Sequence, residues 1–375
     1  NYETTAPSGT DGLGGGGGGS QSDNSTNRFG GVGGSGVVII KVPTPAATGS
    51  VGASAGVATV SAVGADASAV SLMLDAITTE GAYSLRKLRT AYTGDAIRVR
   101  RSSDDAEADI GFDGNGYLDE SALTTHTGAN DGFVVTWYDQ SGNARDQAQE
   151  FKGRQPRIVI AGVVVTDGTN NKPAIEFGGS QIYLYNSSPS MWALSGADIS
   201  AVASSDVGAT SVDFIYSEAS DVSSNPWYSP LAFNDSDADA LHISLRDDAG
   251  AFLFNGGTVT YPILTQDAFV SGAQVVVSNR DTGTNWTGYV NGVQGSSLAI
   301  PPATLTLTVS SIGALYRGGY ALEWQGNISE VVITELLSAG TTRADLHGDQ
   351  VAYYITASGS VGASAGVATV SAVGA

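Results

Sequence analysis

The segment DGNGYLDE, which starts at Asp113, carries oxygen-bearing side chains at short intervals. Asp113, Asn115 and Asp119 supply carboxylate and amide oxygens, the ligand atoms that Ca²⁺ takes in proteins. The glutamate that closes a twelve-residue calcium loop is missing, because Thr124 stands at that position when the count starts at Asp113. The sequence therefore predicts a weak calcium site here, with a satisfied surface turn as the alternative.

A second polar segment, WYDQSGN, joins aromatic to hydrogen-bonding side chains. Asp139, Gln140 and Asn143 are of the residue types that bond backbone groups at tight corners, and this structural role is one interpretation. The other is sugar recognition, in which Trp137 or Tyr138 stacks on a pyranose while the polar side chains bind its hydroxyls. Both interpretations are open at the level of sequence.

Tyr316, Tyr320 and Trp324 form a second aromatic group toward the end of the chain. Aromatic residues on strands serve either as core residues or as a surface on which a ligand stacks. The three histidines are far apart and have no metal-ligand spacing, and we expect no metal role for them.

Charge and cysteine content exclude several classes of protein. The formal net charge is −20, which repels the phosphate backbone of nucleic acids and anionic lipid surfaces. The chain has no cysteine, so disulfides and thiolate metal sites are absent. No apolar run approaches the roughly 18 residues that a membrane-spanning helix needs. We expect no nucleic-acid binding, no membrane insertion and no cofactor other than Ca²⁺.

Six of the 17 basic residues fall between Arg86 and Arg101. They predict either a basic surface strip or a set of ion pairs with the acidic residues that follow, which are Asp104, Asp105, Glu107 and Asp109.

The elements that must position these residues are mostly strands. Short runs rich in Val, Ile, Tyr and Phe recur every 8 to 14 residues from about residue 96 to 336, separated by turn residues. The spacing of Leu85, Leu88 and Tyr92 predicts one helix over 78–94, and a second, late helix is expected over 341–354. The pair Asn291-Gly292 predicts a hairpin turn. This pattern indicates an all-β fold, a two-sheet jelly-roll sandwich with one or two short helices.

An exact repeat brackets this globular region. The stretch GSVGASAGVATVSAVGA occurs at 49–65 and again at 359–375. Small, neutral and β-prone segments gain stability by stacking against copies of themselves, so the repeats predict a homo-oligomer. We divide the chain into a Gly-rich segment that ends in a strand (1–45), a small-residue repeat or linker (46–69), the sandwich (70–357) and the second repeat (358–375).

Three parts of the chain carry resemblances to known families. The Gly-rich run that ends in GGSGVVIIK resembles a module of bacteriophage tail and fibre proteins, which commonly assemble as trimers. The motifs GAYSLRKLRTAYTGDAIRVRRSSDD and GFVVTWYDQSGN resemble the catalytic domain of the α-L-arabinofuranosidase B family. The closing segment from YVNGV to residue 355 is similar to concanavalin A-like, laminin-G-type sandwiches. These resemblances imply a concanavalin A-like sandwich.

The arabinofuranosidase resemblance implies two catalytic carboxylates, a nucleophile and an acid/base group. Alignment of HISLRDDAGAFLFNG places Ser244 and Arg246 near the family's nucleophile segment, and IGALYRGGYALEW places Tyr316 or Arg317 at the acid/base position. Both carboxylates are therefore missing in this alignment. Asp247, Asp248 and Glu323 lie close enough in sequence to take over the two roles, which keeps a hydrolase as an alternative.

From the sequence we expect a non-catalytic fibre or decoration protein at a virion surface, in contact with other virion proteins and binding a glycan of the host surface. A glycan hydrolase and a purely structural virion protein are the alternatives. The residues expected to bind glycan are Trp137, Tyr138, Asp139, Gln140, Asn143, Arg246, Tyr316, Arg317 and Trp324.

Overall fold

The computed structural model describes most of the region after residue 71. The described residues are 53–54, 57–58, 72–168, 170–178, 181–187, 196–205, 212–220, 226–234, 240–246, 263–265, 273–299, 305–316, 320–337 and 341–356. The chain divides into two compact units, Asn1–Val70 and Ser71–Ala375. In the first unit, the two-residue strands Ala53–Ser54 and Val57–Ala58 pair antiparallel inside the first repeat. The Gly-rich run and the second repeat lie outside the described residues.

The second unit is built almost entirely from β-strands. Its strands are β1 Thr79–Ser84, β2 Ile97–Arg101, β3 Glu107–Ile110, β4 Gly132–Trp137, β5 Gln147–Ala148, β6 Arg157–Ile160, β7 Val163–Val164, β8 Thr166–Asp167, β9 Lys172–Pro173, β10 Ile175–Phe177, β11 Leu184–Asn186, β12 Ala197–Ser205, β13 Val212–Ala219, β14 Trp227–Asn234, β15 Ala240–Arg246, β16 Ile263–Thr265, β17 Val275–Asp281, β18 Asn285–Val290, β19 Val293–Ala299, β20 Val309–Ile312, β21 Leu315–Tyr316, β22 Tyr320–Ala321 and β23 Gly326–Glu335. Its α-helices are α1 Glu120–Thr127 and α2 Thr341–Gln350, and a π-helical turn, Val351–Ile355, continues α2.

The strands form two antiparallel arrays. Sheet A has the order β1-β23-β12-β17-β18-β19. Sheet B has the order β3-β2-β4-β5-β11-β20-β13-β14-β15-β16. Strands β6 and β10 connect the two arrays by pairing with β4 and β23. One apolar core contains residues of both sheets, including Val134, Leu184, Val277 and Ile333. The predicted all-β sandwich is confirmed.

The predicted turn between β18 and β19 is also present. Asn291 and Gly292 both have positive φ, at 47° and 81°, as a type I′ turn requires. The Asn291 side chain accepts a hydrogen bond from the backbone N–H of Val276 at 2.9 Å, which fixes the hairpin to β17.

The predicted helix over 78–94 is wrong. Residues Thr79–Ser84 form strand β1, which pairs with β23 across the sheet. Leu85 and Leu88 are both buried, but they belong to different clusters, the main core and a smaller one beside α2. Long-range pairing therefore overrides the helical spacing. The early helix is α1 instead, and the late helix is present from Thr341, where the prediction placed it.

Neither described helix is long and apolar enough to cross a membrane.

Candidate functional site

The segment WYDQSGN forms a corner that ties β4 to β1. Asp139 accepts hydrogen bonds from the backbone N–H groups of Ala82, Ser141 and Arg145 at 2.9 to 3.1 Å. Gln140 donates to the carbonyls of Ser84 and Arg86. Both side chains are buried and fully engaged with backbone, so the structural interpretation of these two residues is the one that the contacts support.

The remaining residues of this segment are also engaged within the protein. Trp137 is 0% exposed and packs edge-on against Tyr83, so it presents no face to a sugar. Tyr138 donates to an Asp109 carboxylate oxygen at 2.6 Å. Asn143 donates to the carbonyl of Thr79 at 2.9 Å. These contacts join the strands at the corner, and Asn143 is an exposed residue of it.

The proposed calcium loop has a structural explanation too. One Asp113 oxygen accepts from the backbone N–H groups of Asn115 and Tyr117, both at 2.9 Å. Burial acts to raise the pKa of Asp113, but these hydrogen bonds outweigh it and hold the pKa below its usual value. Asp119 caps α1 by accepting from the N–H of Ala122. The part of the chain that the structure describes contains no group of three or more potential metal-binding side chains.

The basic residues of β2 pair with the acidic residues that follow them. The ion pairs are Arg98 with Asp109, Arg100 with Asp105, and Arg101 with Asp104, at 2.7 to 2.8 Å. The ion-pair alternative is confirmed for β2, whereas Arg86 pairs with Glu330, far along the chain.

An aromatic surface, here named the tyrosine platform, is formed by Tyr183, Tyr185 and Tyr316. Leu184 packs in the main core, so Tyr183 and Tyr185, its neighbours along the chain, lie on the opposite face of sheet B. The Tyr185 and Tyr316 rings are stacked, with centroids 5.0 Å apart and planes at 16°. Tyr183 contacts both, at 5.9 and 5.5 Å. Tyr185 and Tyr316 are partly buried, because both pack against a second apolar cluster that includes Trp227 and Leu315, and part of each side chain is left exposed.

Polar groups lie near this platform. Asn186, next along β11, alternates to the face opposite Tyr185 and donates to the Asp146 carbonyl at 2.6 Å. Arg154 donates to the Tyr183 hydroxyl at 3.3 Å and lies over the exposed ring of Phe151. Stacked rings with polar neighbours are the side-chain types from which sugar-binding surfaces are built.

The other residues expected to bind glycan are not all brought together. Trp324 is 1% exposed and belongs to the main core. Arg246 ends β15, in register with Trp227 of β14. Arg317, Asp247 and Asp248 lie outside the described residues, and Tyr320 pairs with Tyr316 in the β21–β22 hairpin. Of the residues expected to bind glycan, Tyr316 is one that the structure places in a partly exposed group of aromatic rings.

Sequence reasoning missed Tyr183 and Tyr185. The stretch QIYLY was interpreted only as a strand, although its Tyr-Leu-Tyr alternation places both rings on one face. That alternation was the available signal. The approach of Tyr316 was not visible, because it depends on pairing between residues far apart in the chain.

Searches with family models and among curated proteins found no match. Among solved structures, a GH54 α-L-arabinofuranosidase soaked with a cyclic sulfate inhibitor matches with a TM-score of 0.57 and 19% identity, over 75% of this chain and 64% of that one. An arabinofuranosidase complexed with arabinofuranosyl-α-1,2-xylobiose matches with a TM-score of 0.56 and 15% identity, over the same shares. The chain therefore spans 64% of the length of these two proteins. At this identity the likeness concerns the fold: the chain is an all-β sandwich of the kind found in these arabinofuranosidases.

Proposed function

We propose that this chain is a non-catalytic, glycan-binding β-sandwich. The observation that carries the proposal is the tyrosine platform, in which two stacked and partly exposed rings lie on the face of sheet B that is turned away from the main core. Sugars bind proteins by laying a pyranose face on such rings while polar neighbours bond the hydroxyls. A polar neighbour is present at Arg154, which donates to the Tyr183 hydroxyl.

The resemblance to arabinofuranosidases supports binding without catalysis. The alignment places Tyr316 or Arg317 at the position of the acid/base aspartate, and the Tyr316 ring stacks on Tyr185. Ser244 and Arg246, aligned near the nucleophile segment, lie on β15. A tyrosine at the acid/base position is suited to stacking on a sugar, and its hydroxyl is too weak an acid to replace a carboxylic acid.

Substitution of Tyr185 by Ala tests the platform. We expect affinity for the best glycan of an array to fall about tenfold, equivalent to about 1.4 kcal/mol, because one stacking surface is lost. Tyr117→Ala is the matched control, since Tyr117 is equally a surface tyrosine, 45% exposed, whose ring contacts Tyr353 instead. Titration calorimetry measures both variants. Unchanged affinity in Tyr185→Ala would show that the platform does not bind the glycan.

We further propose that the sandwich is displayed at a virion surface, where it binds host glycan and contacts other virion proteins. The Gly-rich segment and the two exact repeats motivate this proposal. If the repeats pack between chains, light scattering should give the mass of a trimer, and deletion of both repeats should weaken it. A monomer at micromolar concentration would exclude the oligomer.

A glycan hydrolase is the second candidate function. Glu323 accepts a hydrogen bond from the backbone N–H of Gln181 at 3.3 Å, which places this carboxylate next to the segment that leads into β11. Incubation with arabinan and capsular polysaccharides measures released reducing sugar. Release that disappears in the Asp247→Asn, Asp248→Asn and Glu323→Gln variants would favour the hydrolase. If the array gives no hits and the sandwich binds another virion protein, the purely structural role is favoured.

A further inference from the structure

One carboxylate stands on the face of the tyrosine platform. Tyr185 lies opposite Ala148 in the β5–β11 ladder. The next residue, Gln149, donates from its side chain to the Tyr183 carbonyl at 3.1 Å, so the chain runs on beside β11. Because side chains alternate along extended chain, Glu150 falls on the same face as Ala148, beside Tyr183.

The Glu150 carboxylate is exposed and available to a ligand. None of the nine ion pairs among the described residues includes it. Its charge reaches the platform, since the pKa of Tyr185 is raised by burial first, and then by Tyr316 and by Glu150.

A cation beside the platform, Arg154, binds a different ring of it. Arg154 donates to the hydroxyl of Tyr183 and lies 5.1 Å above the Phe151 ring. Tyr183 is the buried ring of the three. The partly exposed ring of Tyr185 therefore has a carboxylate as its charged neighbour.

From this arrangement we propose that the platform takes uncharged glycans, and that Glu150 excludes sugars that carry a carboxylate, such as sialic and uronic acids. The inference rests on the proposed glycan-binding function. An ionised carboxylate accepts hydrogen bonds from sugar hydroxyls and repels a second carboxylate held close to it. The net charge of −20 adds a long-range field of the same sign.

The test compares neutral and carboxylated members of matched glycan pairs, for example lactose with 3′-sialyllactose and galactan with galacturonan fragments. The full chain is measured at low ionic strength, where charge effects are least screened. We expect the wild-type protein to bind the neutral member at least tenfold more tightly. Glu150→Lys should remove or reverse this preference, and Glu150→Gln should reduce it.

Glu107→Lys is the matched control, because Glu107 is an exposed glutamate on β3, four strands from β11 in sheet B. It makes the same change in net charge and should leave the preference unchanged. Equal binding of both members by the wild-type protein, or an equal shift in Glu107→Lys, would overturn the role of Glu150. Absence of binding to every glycan would overturn the proposed function itself, and the inference with it.

Discussion

Substitution of Arg86 by Met should lower the free energy of unfolding by about 3 to 5 kcal/mol, because it leaves a buried carboxylate without its cation. Arg86 binds the two oxygens of Glu330 through Nε and Nη2, at 2.9 and 3.2 Å. Glu330 is 0% exposed. Its burial acts to raise the pKa of the carboxyl, but the charge and hydrogen bonds of Arg86 outweigh burial and keep the pKa below its usual value.

The groups around this pair explain why it cannot relax into water. Ser84, Gln350 and Tyr354 donate to the Glu330 carboxylate at 2.7, 3.0 and 3.2 Å. The Arg86 guanidinium lies 4.7 Å from the Tyr353 ring centroid, and Asp349 forms a second ion pair with it. Strand β1, strand β23 and the α2 region all meet at these contacts, so loss of the cation affects three elements at once.

Urea unfolding measures the effect, and two variants make it interpretable. Arg98→Met removes the arginine of an exposed pair with Asp109 and should cost no more than about 1 kcal/mol. The double variant Arg86→Met/Glu330→Met should recover much of the loss, since it removes the stranded charge as well. A single-variant loss equal to that of Arg98→Met would mean that the buried pair does not hold these elements together.

Arg86 also shows what could and could not be predicted from the sequence. The ion pairs of β2 were one of two alternatives that the sequence offered, because the partners lie at most 11 positions apart along one hairpin. Glu330 is 244 residues from Arg86, and no local pattern connects them. The helix predicted over 78–94 failed for the same reason, since the pairing of β1 with β23 decides the structure there.

Some features of the candidate site could likewise be predicted from the sequence, and others could not. The side chains of the corner segment bond backbone groups of neighbouring strands, as their residue types indicated. The tyrosine platform could be foreseen only in part, because Tyr316 reaches Tyr185 through the meeting of β11, β20 and the β21–β22 hairpin. Alternation along one strand is visible in a sequence, whereas the partner that strand pairing brings to the same face is not.

His347 should make the fold sensitive to acid below neutral pH. This residue lies on α2, 3% exposed, with its ring 5.9 Å from that of Tyr289 on β18. Arg343, one helical turn before it, places its guanidinium over the same tyrosine ring. Burial first, and then the charge of Arg343, lower the pKa of His347 to about 4. The carboxylate of Asp198, which lies in the same region, is already engaged, because it accepts hydrogen bonds from Arg280 and from the backbone N–H of Leu337, between β23 and α2.

The sign of the effect follows from the difference in proton binding. The unfolded chain takes up the His347 proton near pH 6.5, whereas the folded protein takes it up only near pH 4. Stability is therefore full above pH 6.5 and falls as the pH drops toward 4, by about 2 kcal/mol between pH 7 and pH 5. Urea unfolding across this range should show a smaller fall for both His347→Gln and His347→Leu. Glutamine and leucine differ in polarity, but neither can take up a proton in this pH range, so an effect common to both variants reports the loss of the titrating group. If stability falls as steeply in both variants as in the wild-type protein, the acid sensitivity belongs to the carboxylates and not to His347.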